Sequence, residues 1–160
     1  MMVSILIAVK EKNGRLEECL RACLKLSYRD MEIIVLPDAA FACDEARVRV
    51  IATGPCLPAD KRDIGARHAR GALLAFLDDD AYPSPGWLEP AVALFRSDPR
   101  LGAVGGPAVT PPDEPPACKA SGLVYASWAV SGTYRYRYLP QPARAIDDYP
   151  SCNLLVRKDA

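Results

Sequence analysis

The feature that most constrains the fold is a spaced series of short apolar runs, each closed by a turn or a charge. Val3-Ser4-Ile5-Leu6-Ile7-Ala8-Val9 opens the chain, Glu32-Ile33-Ile34-Val35-Leu36 is stopped by Pro37, and Ala72-Leu73-Leu74-Ala75-Phe76-Leu77 runs into acid. Runs of this length and near-continuous apolarity read as buried strands. Helical spacing fills the gaps. Asn13-Gly14 opens a helix whose Leu16, Cys19, Leu20, Cys23 and Leu24 keep a three–four spacing. A second helix is predicted from about Ala59 to Arg70, with Gly71 as its terminating residue. Ser84-Pro85 caps and starts a third, carrying Trp87, Leu88, Val92 and Phe95. Val48-Arg49-Val50-Ile51, Leu101 to Val109 (with a break at Gly105-Gly106) and Ser151 to Arg157 complete the expected strands. Thr110 to Pro116 reads as a loop and Lys119 to Trp128 as helical. Strands alternating with helices predict an α/β domain with a mostly parallel central sheet.

A chain of 160 residues is long enough for one domain with a real core. Lys plus Arg equals Asp plus Glu, 20 of each. The balance leaves no basic field of the kind nucleic-acid binders carry, so nucleic acid is not an expected partner. The Arg/Tyr run Tyr134-Arg135-Tyr136-Arg137-Tyr138 reads as a ligand contact or as an alternating strand. The six cysteines form no C-x-x-C pair and His68 has no second histidine beside it, which argues against zinc. Cys19 and Cys23 read as small core residues. No apolar run is long enough to span a bilayer, and a reducing, cytoplasmic setting fits the cysteine usage.

The third apolar run ends in Asp78-Asp79-Asp80. Three adjacent carboxylates repel one another and do nothing for a core. A hard divalent cation such as Mg²⁺ or Mn²⁺ neutralises such a group and often keeps substrate phosphates in its shell. In open α/β sheets, ligands sit at the carboxyl ends of strands. The triplet therefore points to a metal-assisted phosphate or nucleotide site, the alternative being a solvated acidic turn before Pro83.

Three segments in order carry a resemblance: the opening strand with its helix; Glu32-Ile33-Ile34-Val35-Leu36-Pro37-Asp38; and Lys61-Arg62-Asp63-Ile64-Gly65-Ala66-Arg67-His68-Ala69-Arg70-Gly71 leading to Asp78-Asp79-Asp80. Arg62, Gly65, Ala69 and Gly71 hold the intervals of an R-N-x-G-x-x-x-A-x-G pattern, Asp78 and Asp80 form a D-x-D, and Pro83 through Trp87-Leu88 resembles a P-x-W-L helix start. Together these resemble the nucleotide-binding half of a family 2 glycosyltransferase with the GT-A fold, over nearly the whole chain. The resemblance implies a Rossmann-like three-layer sandwich and an inverting sugar transferase. It implies a nucleotide-diphosphate sugar as donor (a UDP-sugar foremost), Mg²⁺ or Mn²⁺ as cofactor, and an acceptor glycan or lipid-linked sugar in cell-wall or polysaccharide biosynthesis, at the inner membrane face or free in the cytoplasm.

Residue by residue, the resemblance assigns Ala8, Val9, Asp38, Arg62, Asp78 and Asp79 to the nucleotide. Asp38 would hydrogen-bond the base or ribose and Arg62 would lie near the base and phosphates. Asp78 and Asp80 would bind ribose and metal, the metal acting as a Lewis acid on the departing diphosphate. Asp79 is at the variable middle position, its side chain expected to point away. His68 is expected at the surface or packed, and Trp87 and Trp128 as packing residues rather than sugar platforms. Three positions depart from the family: Val9-Lys10-Glu11 stands where V-Y-N is common, Pro37 replaces the first acid of a pair, and Asp63 replaces an asparagine.

In the family a strand like Asn153-Leu154-Leu155-Val156-Arg157 precedes the E-D motif that supplies the general base. The base is therefore expected beyond Ala160, residues 1–160 are expected to be a single nucleotide-sugar-binding domain truncated before it, and the chain alone is expected to bind donor but transfer poorly. Asp147 and Asp148, upstream of that strand, read as candidates for the acceptor side, and neither is expected to be the base. A non-catalytic nucleotide-binding module of the same fold is the alternative. A phosphoacceptor receiver domain wants acids where Lys10-Glu11-Lys12 stands, and a sugar-nucleotide pyrophosphorylase wants a glycine-rich loop that Ala8 to Asn13 lacks.

Overall fold

Alternate residues of the first strand serve different cores, because successive side chains of a strand point to opposite faces. Val3, Ile5 and Ile7 join a cluster of 20 buried residues on one face of the sheet, while Leu6 joins a cluster of five on the other. The computed structural model describes residues 1–160. Its strands are β1 (Val3–Ala8), β2 (Met31–Leu36), β3 (Val48–Val50), β4 (Leu73–Asp78), β5 (Ala103–Gly105) and β6 (Asn153–Arg157), in one sheet of order β3-β2-β1-β4-β6-β5. The first four run parallel, and β6 lies antiparallel between β4 and β5. This is the expected α/β architecture with a mostly parallel sheet.

Helices cover both faces. Helix α1 (Gly14–Leu24) is capped by Asn13, whose side chain accepts from the Leu16 N–H at 2.9 Å. It buries Leu16, Cys19 and Cys23 in the larger core, alongside Leu88, Ala91, Val92 and Phe95 of α3 (Leu88–Ser97). Helix α2 (Pro58–His68) lies on the opposite face, where Ile64 and Ala66 pack against the smaller core. It can come close because Gly65 has no side chain: a Cβ there would sit 2.7 Å from Leu36 Cδ1. Helices α4 (Pro116–Ala126) and α5 (Trp128–Ser131) and a 3-10 segment, Gly132–Arg137, contribute no fully buried residue.

Several local expectations need correction. Helix α2 ends at His68, and Gly71 is not its terminator. The chain turns extended at Ala69 because that residue is drawn into the smaller core, while the Arg70 N–H donates to the buried Glu32 carboxylate at 2.7 Å. Gly71 is demanded by a close approach: a Cβ there would meet the Ser4 nitrogen at 2.6 Å and the Met2 carbonyl oxygen at 2.8 Å. The third helix starts at Leu88 rather than at Ser84-Pro85. Ser84 closes a turn onto the Trp87 N–H, and the Pro85 carbonyl accepts from both the N–H and the hydroxyl of Ser27, so neither carbonyl starts a helical ladder. The strand expected over Leu101 to Val109 shrinks to Ala103–Gly105, an edge strand followed by Pro107, which has no N–H to pair. The run Tyr134 to Tyr138 is no strand. Its alternation dissolves in the 3-10 segment, where positions three apart eclipse and the Arg137 guanidinium lies 4.5 Å from the Tyr134 ring centre.

Candidate functional site

Register brings the strand tips together. Ala8, the last residue of β1, is level with Leu36 of β2 on one side and with Asp78 of β4 on the other. The chain leaves β1 toward β2 on one side, whereas β4 lies on the other. Strand order therefore reverses at β1, the kind of switch point where open α/β sheets bind ligands.

Asp38 stands just past β2, held by its backbone: its N–H donates to the Lys10 carbonyl and its own carbonyl accepts from Gly54, both at 3.0 Å. Its carboxylate pairs with the Lys61 ammonium, which also donates to the Val9 carbonyl at 2.6 Å. Arg62, the next residue of α2, reaches the tip of β4 and donates to Asp78 Oδ1 at 2.8 Å. Its Nε is buried without a protein partner. Consecutive residues of one helix thus serve three strand ends.

The three carboxylates of the triplet go separate ways. Asp78 takes Arg62, Asp79 accepts from Asn13 Nδ2 at 3.3 Å, and exposed Asp80 lies 3.7 Å from Arg15. Mutual repulsion is relieved by three different partners rather than at one common point, and no group of three His, Cys, Asp or Glu side chains is assembled that would hold a metal by itself.

Beyond Asp80 a cavity of about 1330 Å³ opens, walled by Tyr82, Trp87, Leu94, Tyr125 and Leu139. Trp87 is half-buried and its Nε1 donates to Asn153 Oδ1 at 2.7 Å, while Asn153 Nδ2 donates to the Pro107 carbonyl at 3.2 Å. Tyr82 donates to Glu114, and that hydrogen bond, helped by burial, pushes its hydroxyl up to about 12. Cys152 lines the same cavity, and burial followed by the Asp78 charge raises its thiol above the usual range.

Of the residues named from the sequence, Ala8, Val9, Asp38, Arg62 and Asp78 gather at the tips of β1, β2 and β4. Asp79 is turned toward the start of α1, and Asp80 points to Arg15 on α1. His68 is exposed, Trp128 is 72% exposed, Asp147 is exposed and Asp148 pairs with Arg137. Sequence reasoning passed over Lys61. A signal for it exists: it sits four residues before Gly65, on the face of α2 that meets the sheet. Asn13 and Arg15 were also missed as partners of the triplet. They face it only through the docking of α1.

The family model described as Glycosyl transferase family 2 matches residues 4–160. The uncharacterized glycosyltransferase EpsJ of Bacillus subtilis (strain 168) is 30% identical over 93 residues, 52% of this chain and 27% of EpsJ. Among solved structures, S. aureus TarS 1-349 superposes with a TM-score of 0.59 at 17% identity, covering 72% of this chain and 38% of that one. The mannosyltransferase PcManGT from Pyrobaculum calidifontis, in complex with GDP-Man and Mn²⁺, superposes with a TM-score of 0.57 at 22% identity, covering 69% of this chain and 36% of that one. The chain spans well under half the length of each of these relatives. At such identities the structural likenesses speak for the fold, which is GT-A. The sequence match runs from β1 through the end of β6 and takes in both strand tips that carry the carboxylates, so this chain belongs to glycosyl transferase family 2.

Proposed function

We propose that this domain binds a nucleoside-diphosphate sugar, a UDP-sugar foremost, across the tips of β1, β2 and β4, and serves an inverting transfer of the sugar to an acceptor hydroxyl. The observation that carries the reading is Arg62: a guanidinium anchored on Asp78 whose buried Nε has no protein partner, at the switch point of the sheet. Such a fork is suited to a phosphate oxygen. Relatives of the fold support the choice of ligand, since TarS has been seen with UDP-GlcNAc and PcManGT with GDP-Man and Mn²⁺.

Asp80 and Asp78 are the residues that would hold Mg²⁺ or Mn²⁺, which supplies Lewis-acid neutralisation of the diphosphate. Arg62 orients the phosphates and holds Asp78 in place. Asp38 accepts from the base or ribose. Ala8 and Val9 present backbone at the floor of the site, and Asp79 stays at its rim against Asn13. The cavity beyond Asp80, with its aromatic walls, offers room for an acceptor glycan or lipid-linked sugar, in cell-wall or polysaccharide assembly. All six cysteines are free, which suits a cytoplasmic setting with or without contact to the inner membrane face. No helix is long and apolar enough to cross a membrane.

Calorimetric titration of UDP, GDP and dTDP with and without Mn²⁺ tests the reading. One nucleotide is expected to bind in a metal-dependent way, with Asp80→Asn removing the metal dependence. Arg62→Ala is expected to weaken binding about ten- to a hundred-fold, the worth of a charged hydrogen bond. Absence of binding by any nucleotide would overturn the reading.

A further inference from the structure

We propose that Lys61 is the positioning residue for the nucleobase end of the donor site, acting through Asp38. The proposal rests on the donor-site reading above and concerns a residue to which that reading gives no role.

A lysine side chain only 4% exposed is unusual, because an ammonium taken out of water must be fully compensated. Here the compensation comes from the two strand tips that flank the site. One N–H goes to the Val9 carbonyl, just past β1, and another to Asp38 Oδ1, just past β2. The ammonium therefore ties the two tips at a fixed spacing. The pairing also orients the carboxylate: Oδ1 is taken by Lys61, and the Asp38 side chain remains 24% exposed. No protein donor bonds Oδ2, so that oxygen is left to accept from a ligand. It selects a ligand group that donates. An imide N–H, as in uracil or thymine, or the N–H edge of guanine satisfies it. Cytosine offers a donor only through its 4-amino group, with the acceptor N3 beside it, a poorer match to a carboxylate edge. A polar site rejects an analogue that lacks the matching donor far more strongly than an apolar pocket rejects a shape.

The position is also the point of departure for neighbouring contacts. Lys61 and Arg62 are adjacent on α2, yet Lys61 serves the β1 and β2 tips and Arg62 the β4 tip. Loss of Lys61 should therefore disturb the base end and leave the phosphate end intact. A merely structural lysine would not make that distinction.

The experiment is calorimetric titration of UDP, CDP, GDP and inorganic pyrophosphate, each with Mn²⁺, on the wild-type chain, Lys61→Met, Asp38→Asn and the double variant, with folding checked by circular dichroism. Lys61→Met is expected to weaken the preferred nucleoside diphosphate about ten- to a hundred-fold, to narrow the preference among bases and to leave pyrophosphate unchanged. Asp38→Asn, whose amide oxygen still accepts from Lys61 and so keeps the fold, is expected to show the same selective loss, and the double variant no further loss. Nucleotide affinity retained in either single variant, or an equal loss of pyrophosphate, overturns the proposal. Should Lys61→Met not fold, Lys61→Gln, neutral but still a donor, takes its place, with the same selective loss expected and the same results overturning the proposal. A wild-type chain that binds neither nucleotide nor pyrophosphate overturns the donor-site reading itself, a result distinct from any of these.

Discussion

Two glycines of one motif do different work, and the difference is measurable. At Gly65 the nearest obstacle to a Cβ is the end of the Leu36 side chain, which can shift; at Gly71 it is the backbone of Met2 and Ser4, which cannot. Gly65→Ala is therefore expected to cost about 1 kcal/mol, and Gly71→Ala about 3 kcal/mol or more, in urea unfolding. Equal costs would contradict the close-approach explanation. The cysteines separate in the same residue-level way. Cys118 is exposed, whereas Cys19 and Cys23 are fully buried, and the Cys23 thiol, donating to Cys19 and buried, is driven far above its usual range. Iodoacetamide on the native chain is expected to label Cys118 first and Cys19 and Cys23 only on unfolding, as peptide mass mapping would show.

Elements are pinned at their ends by a few polar groups. Asn13 at the head of α1 caps the helix through Leu16 and also contacts Asp79, so Asn13→Ala is expected to lose about 1 kcal/mol of stability and to loosen the turn after β4. Glu32 does the equivalent work at the other end of the sheet. Burial by itself would raise its carboxyl, but the Arg70 N–H at 2.7 Å, the Ser4 hydroxyl at 2.7 Å and the Arg49 guanidinium at 2.9 Å outweigh that and hold it below its usual 4.5. A depressed folded value means that this stabilisation is full above the unfolded value and is lost as pH falls through the folded one. Denaturant midpoints measured downward from pH 5 are expected to fall more gently for Glu32→Gln than for wild type, from a lower starting stability. Ser4 also accepts from the Gly71 N–H, so one network joins β1, β2 and the α2–β4 connection.

For the whole molecule, the two faces of the sheet are unequal. The larger core carries α1 and α3 with 20 buried residues, the smaller only five. Phe95, fully buried in the larger core, is expected to cost about 3–5 kcal/mol when replaced by alanine, a large share of the stability of a domain this size. The candidate site draws on both faces, Asn13 and Arg15 coming from the α1 end and Lys61 and Arg62 from α2. The proposed ligand would stabilise the fold as a whole. A nucleoside diphosphate with Mn²⁺ at a hundred times its Kd is expected to add about 2.7 kcal/mol. That increment would register as a rise in Tm, absent with Mn²⁺ alone.

The sequence by itself determined most of the strands, the existence of the three helices that pack on them, a mostly parallel sheet and the family, because those depend on local apolar periodicity and on motif residues spaced along the chain. Val3–Ala8, Met31–Leu36 and Leu73–Asp78 were legible for that reason. The reversed strand β6 between β4 and β5, the true role of Gly71 and the 3-10 turn under the Tyr134–Tyr138 run were not, since each depends on which backbone lies alongside. The site divides along the same line. Asp38, Arg62 and the acid triplet are visible as residue types at spacings, whereas the capture of Asp38 by Lys61 and the dispersal of Asp78, Asp79 and Asp80 to Arg62, Asn13 and Arg15 are decided only when separate elements meet. Charge pairing is a property of distance in space, and only the tertiary structure sets that distance.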